Sequence, residues 1–162
     1  MQERIFTDKN GEQLIVRHRK SAVFFLRETD LSIDGYSFPW WVDTTPSIQR
    51  SELERSYRFT QEAFECFVEY MEEIALESWK SFIPKEADSF GADYAEYYDR
   101  DFDSNGDLSV RKNRLKVDGP GQNKTGDPIA RLYKFNKRKF ESFVYDLKKL
   151  RCDASGAATN NI

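Results

Sequence analysis

Residues 60–79 read TQEAFECFVEYMEEIALESW. Phe64, Phe67, Val68, Met71, Ile74, Ala75 and Ser78/Trp79 recur at helical spacing, so one face of the stretch is almost wholly apolar. The opposite face carries Glu62, Glu65, Glu69, Glu72, Glu73 and Glu77, with no Lys or Arg before Lys80. Thr60 has the side chain of an N-cap, and Pro84 stands where a helix must have ended. The pattern predicts a core helix whose outer stripe has one sign. Glu65/Glu69, Glu69/Glu73 and Glu73/Glu77 are like charges at i, i+4, each opposing the helix by about 0.2–0.5 kcal/mol.

The cations that could answer this stripe lie further along. Residues 51–110 hold 16 acidic and 5 basic residues, whereas residues 111–151 hold 13 basic and 4 acidic. A net charge of −3 conceals this segregation. Such asymmetry means either internal pairing or a charged partner. A chain of 162 residues suffices for one compact domain burying roughly 70% of its unfolded surface. Its 13 Phe, 8 Tyr and 3 Trp supply the core. No apolar run approaches the ~18 residues of a membrane helix, and MQERIFTDKNGE lacks the order of a signal peptide. Cys66 and Cys152 show no metal or redox spacing, which fits a reducing, cytoplasmic setting without membrane contact.

The N-terminal third reads as an antiparallel meander. Asn10-Gly11 is a two-residue hairpin signal, and that register sets Thr7 opposite Leu14 and Ile5 opposite Val16. Ala22–Leu26 supplies a third strand, and Asp34-Gly35 marks another hairpin. Trp40 and Trp41 follow; on an extended chain they point to opposite faces, so whichever turns outward is a candidate anchor for a partner. Ser51-Glu52-Leu53-Glu54 has the form of a capping box and predicts a short helical turn before the main helix.

From Tyr94 the chain becomes aromatic and extended. A three-residue loop Ser104-Asn105-Gly106 pairs Phe102 with Leu108 and Arg100 with Val110, with Gly106 in the left-handed region. Ile129–Phe135 predicts a last strand, and Asn136 caps a second amphipathic helix with Phe140, Phe143, Val144, Leu147 and Leu150 on one face. Residues 1–151 thus form one globular domain and 152–162 a mobile tail.

Motifs with chemistry are sparse. Asp101–Asp107 copies the first half of a calcium loop, but Lys112 stands where a bidentate Glu is required, so a hairpin turn explains the same residues. Gly119–Thr125 lacks the glycine before the lysine and the following helix of a phosphate-binding loop. His18, the one histidine, lies in RHRK and reads as a surface residue without a neighbouring nucleophile. No cofactor or metal set emerges.

The expectation is an α+β fold: an antiparallel sheet from the meander and the later hairpin, with two amphipathic helices on one face. The function expected is a small non-enzymatic module, of the regulator, inhibitor or immunity type, that binds a basic protein. Its surface is Glu62, Glu65, Glu69, Glu72 and Glu73, with Trp40 or Trp41 at the edge. The alternative is nucleic-acid binding by Arg111, Lys112, Arg114, Lys116, Arg131, Lys134, Lys137 and Arg138, since cations neutralise phosphates and the interleaved aromatics can stack on bases.

Overall fold

The computed structural model describes residues 2–27, 54–88, 90–100, 104–119 and 131–160, with the backbone alone at 54, 55, 90, 104 and 152–160. The elements run β1 (Gln2–Thr7), β2 (Gln13–Arg19), β3 (Ala22–Arg27), β4 (Glu54–Arg58), α1 (Gln61–Ser78), a 3-10 turn (Phe90–Ala92), β5 (Glu96–Asp99), β6 (Ser104–Arg111), β7 (Arg114–Asp118), β8 (Arg131–Phe135) and α2 (Lys137–Asn160). The fold is α+β, with the N-terminal meander in place. Its described strands divide between two four-stranded antiparallel sheets, ordered β1-β2-β3-β8 and β4-β7-β6-β5, where one sheet was expected.

Both helices lie on the face of the first sheet that carries Phe6, Phe25 and Phe135. On α1, Phe67 meets Phe6 edge-on at 5.2 Å and Phe25 at 6.0 Å. On α2, Phe143 lies 5.7 Å from Phe25, 5.1 Å from Phe135 and 6.4 Å from Phe67. These rings are buried and form one contiguous core. Edge-to-face and offset arrangements of this kind contribute about 0.5–1.5 kcal/mol per pair beyond their burial.

The second sheet buries Tyr57, Tyr97, Leu108, Leu115 and Val117 and turns the alternate residues outward. It meets the first sheet along β8. Tyr97 Oη donates to Leu132 O at 2.8 Å, Tyr133 Oη donates to Tyr94 O at 2.8 Å, and the rings of Tyr97 and Tyr133 are 4.0 Å apart. At Gly119 the approach is so close that a Cβ would sit 2.5 Å from Leu132 Cα. A second junction joins the first hairpin to β4: Lys9 N donates to Arg58 O at 2.8 Å, and Arg58 N donates to Asp8 Oδ2 at 3.0 Å.

Several local expectations are corrected. The first hairpin is one residue out of the expected register: Thr7 faces Gln13, Phe6 faces Leu14 and Ile5 faces Ile15. Asp8 is the cause. Its Oδ1 accepts from Asn10 N and Glu12 N at 2.9 and 2.8 Å, and its carbonyl accepts from Gly11 N at 3.1 Å. Of the Asn10-Gly11 pair only Gly11 takes a positive φ, 84°, so the turn is not the two-residue type. A slip of one residue exchanges faces, which leaves Ile5 47% exposed and buries Phe6.

Glu54 begins a strand and not a helical turn, because β4 pairs with β7 along its whole length. In the second sheet Asp99 faces Ser104 and Tyr97 faces Gly106, so Ser104-Asn105-Gly106 is strand. Gly106 is required there because a Cβ would enter the Tyr97 ring, not because of a turn. The turn after β6 is Lys112-Asn113, with Asn113 at φ 61°. The backbone of α2 continues helical to Asn160, past Arg151, where the apolar spacing ends. Trp40, Trp41, the Asp34-Gly35 hairpin and most of the Gly119–Thr125 loop lie outside the described residues.

Candidate partner-binding surface

Helix α1 forms where its sequence says. Thr60 is the N-cap, its Oγ1 accepting from Ala63 N at 3.1 Å, and the helix stops at Ser78 with Trp79 N donating to Ala75 O. Phe64, Phe67, Val68, Met71, Ile74, Ala75 and Ser78 are buried. That fixes the outward face. Glu62, Glu69, Glu73 and Glu77 are exposed, and Glu65 and Glu72 are half-buried.

The basic segment answers this stripe at one point among the described residues. Arg151 Nη2, on α2, donates to Glu72 Oε1 at 3.1 Å. Glu77 is taken by a different group: its Oε2 is 2.8 Å from His18 Nε2. His18 is therefore no surface residue; it is 5% exposed, seated beside the Tyr70 ring. Glu62, Glu65, Glu69 and Glu73 have no cationic partner among the described residues. Near Glu73 and Glu77, Tyr70 has its hydroxyl pKa raised, first by burial, against the opposing pull of Arg4.

An apolar group sits within the acidic stripe. Leu76 is 71% exposed and lies one helical turn from both Glu72 and Glu73. The sequence reading missed it, although its angular position among the glutamates is computable from the spacing alone. Ile83, just past the helix, is also largely exposed.

The alternative, basic set is dispersed. Arg111, Arg114 and Lys116 lie on the outward face of the second sheet, and Lys112 lies in the turn beside them. Arg131 and Lys134 lie over Phe24 on the outer face of the first sheet, each 6.0 Å from its ring, and Arg131 also donates to Asp99 at 2.6 Å. Lys137 and Arg138 begin α2. Arg138 is occupied by the carbonyls of Lys85 and Glu86 and by Asp88.

A groove of about 490 Å³ lies where the second sheet meets α2, lined by Glu96, Asp107, Asp118, Tyr97, Tyr98 and Lys139 among others. Lys139 has its pKa lowered by burial, with Asp93 acting the other way. Its Nζ is already engaged by the carbonyls of Asp93 and Glu96, at 3.1 and 2.9 Å, which makes it a tie between β5 and α2. Among the described residues no group of three or more His, Cys, Asp or Glu is arranged to hold a metal ion, and no helix is long and apolar enough to cross a membrane. Comparison with family models, curated proteins and solved structures returned no match.

Proposed function

We propose that this protein is a non-enzymatic interaction module that binds a partner protein of basic surface through the outer face of α1. The observation that carries the reading is Leu76, an apolar side chain held 71% exposed within a glutamate stripe of which Glu62, Glu65, Glu69 and Glu73 have no cationic partner among the described residues. Covering a leucine contributes about 1.5–3 kcal/mol when it is fully buried. The glutamates around it select a cationic rim and raise the association rate. A stripe whose like charges oppose its own helix is more useful to a partner than to the fold.

The test is capture from the native host with the wild-type chain and with two variants, Glu65→Lys/Glu69→Lys/Glu73→Lys and Leu76→Asp. Glu72 is left intact because Arg151 holds it. The expected result is a basic partner retained by wild type, released by moderate salt and lost with either variant. An unchanged partner set with both variants removes α1 from the hypothesis.

A further inference from the structure

Where the end of β5 passes the end of β8 and the β2–β3 turn, the chain leaves a crevice of about 400 Å³. Its walls include Ser21, Tyr98, Arg100, Lys134, Asn136 and Lys139, drawn from three stretches far apart in sequence. Their charge has one sign. Arg100 is exposed and has no hydrogen-bond or ion-pair partner among the described residues. Lys134 Nζ stands 6.0 Å from the Phe24 ring, Arg19 stands 5.6 Å from the same ring, and neither has an acidic partner among the described residues. Lys139 Nζ gives two of its three protons to carbonyls, which leave its charge uncancelled. Asp99 is the one carboxylate among the described residues of the wall; it is 5% exposed and accepts from Arg131 Nη2 at 2.6 Å. Asn136 caps α2, whose positive end adds to the same field.

Cations that line one concave site without acids to match them repel one another, and an anion relieves that repulsion. We propose that this crevice binds a phosphorylated small molecule of the nucleoside monophosphate class, its phosphate among Arg100, Lys134 and Lys139 and its planar ring against Tyr98. Arg100 presents a planar fork that fits phosphate oxygens, whereas the two lysines act as point charges. The Ser21 hydroxyl and the Asn136 amide nitrogen add hydrogen-bond donors. The Tyr98 ring is 56% exposed, which leaves it open to stacking by a base. The volume falls within the roughly 300–1,000 Å³ of small-ligand sites. The groove beside the second sheet shares Tyr98 and Lys139 with the crevice but presents Glu96 and Asp107, which turn a phosphate away. That contrast fixes the direction of the ligand. The crevice shares no residue with the outer face of α1, so the two sites stand or fall separately.

Equilibrium dialysis against adenosine monophosphate, adenosine and inorganic phosphate at low ionic strength tests this. The monophosphate is expected to bind more tightly than either of the other two. Its affinity is expected to rise as pH passes about 6, where the second phosphate proton is lost. Arg100→Ala and Lys134→Gln should each weaken it about tenfold or more, and Arg100→Lys, which keeps the charge but loses the fork, should fall between. Tyr98→Ala is expected to bring the monophosphate down to the level of inorganic phosphate while leaving inorganic phosphate unchanged, a selective loss that misfolding cannot imitate. Arg114→Ala, which removes a cation from the outward face of the second sheet, should leave all three unchanged. No binding of the monophosphate or of inorganic phosphate at millimolar concentration overturns the proposal. So does binding indifferent to Arg100 and Lys134, or capture of a single-stranded oligonucleotide that the monophosphate does not displace.

Discussion

His18 Nε2 lies 2.8 Å from Glu77 Oε2, which ties β2 to the last turn of α1. The other ring nitrogen, Nδ1, is buried without a hydrogen-bond partner among the described residues. Glu77→Ala therefore leaves the ring with neither bond and is expected to cost about 1–3 kcal/mol. At roughly 2–4 °C per kcal/mol for a chain of this size, the loss is measurable as a fall in Tm. In a His18→Leu background the same substitution should be silent, because the half-exposed Glu77 is then rehydrated at little cost. Equal losses in the two backgrounds would show that Glu77 acts elsewhere.

Gly119→Ala is expected to be the most damaging glycine substitution between the sheets. Its Cβ would meet Leu132 Cα and O at 2.5 Å, and both are backbone atoms that side-chain rotation cannot move. Overpacking costs about 1–3 kcal/mol where side chains can adjust, so this site should lie at the upper end or beyond. Gly11→Ala meets open space but keeps φ at +84°, a left-handed cost of about 1–2 kcal/mol. Urea midpoints should rank wild type above Gly11→Ala, and Gly11→Ala above Gly119→Ala.

The three tyrosines at the sheet junction make the fold sensitive to alkali. Tyr94, Tyr97 and Tyr133 all have their pKa raised above 10.0, in each case first by burial; the bond to Asp146 adds to it at Tyr94, and Asp99 adds to it at Tyr97. Above pH 10 the unfolded chain has lost these protons while the folded chain keeps them. The folded state binds more protons, so stability falls as pH rises. Each such group removes about 1.4 kcal/mol per pH unit. The lowered pKa of Lys139 acts in the opposite sense below pH 10.5 and is a single group. Tyrosinate absorbance should therefore appear together with loss of tertiary signal; tyrosinate that forms in a still-folded protein would contradict this.

Stability and binding should separate on α1. Leu76→Ala removes an exposed side chain and is expected to change stability by less than about 0.5 kcal/mol. Met71→Ala, from the buried face of the same helix, should cost about 2–5 kcal/mol. Thr60→Ala deletes the acceptor of the Ala63 amide and should cost about 1 kcal/mol. Thermal melts of the three check this order. A large loss with Leu76→Ala would mean that the side chain is covered.

The two helices are legible in the sequence because their information is local: apolar spacing, a Thr or Asn cap and, for α1 alone, a proline beyond the end. The strands of the meander are legible for the same reason. What fails is register. Asp8 captures two amides and adds residues to a turn that Asn10-Gly11 would otherwise close in two. At Gly106 the deciding fact is a tyrosine ring from the neighbouring strand, which no turn rule contains. At Glu54 the pairing offered by β7 overrides a capping pattern. The acidic stripe could be read in full, Leu76 included, whereas the basic crevice exists only once β5, β8 and the β2–β3 turn are brought together.

The first sheet takes three strands from the first 27 residues and its fourth from 131–135, so β3 and β8 close a loop of more than a hundred residues. Long-range pairings of this kind slow folding, because chain entropy is lost before the contact is gained. During synthesis the meander leaves the ribosome before α1, and Phe25 gains its neighbours Phe135 and Phe143 only once β8 and α2 have been made. Co-translational folding should therefore be late and abrupt, and a nascent chain stalled before residue 131 should be open to proteolysis and chaperone capture. A chain released past α2 should be protected.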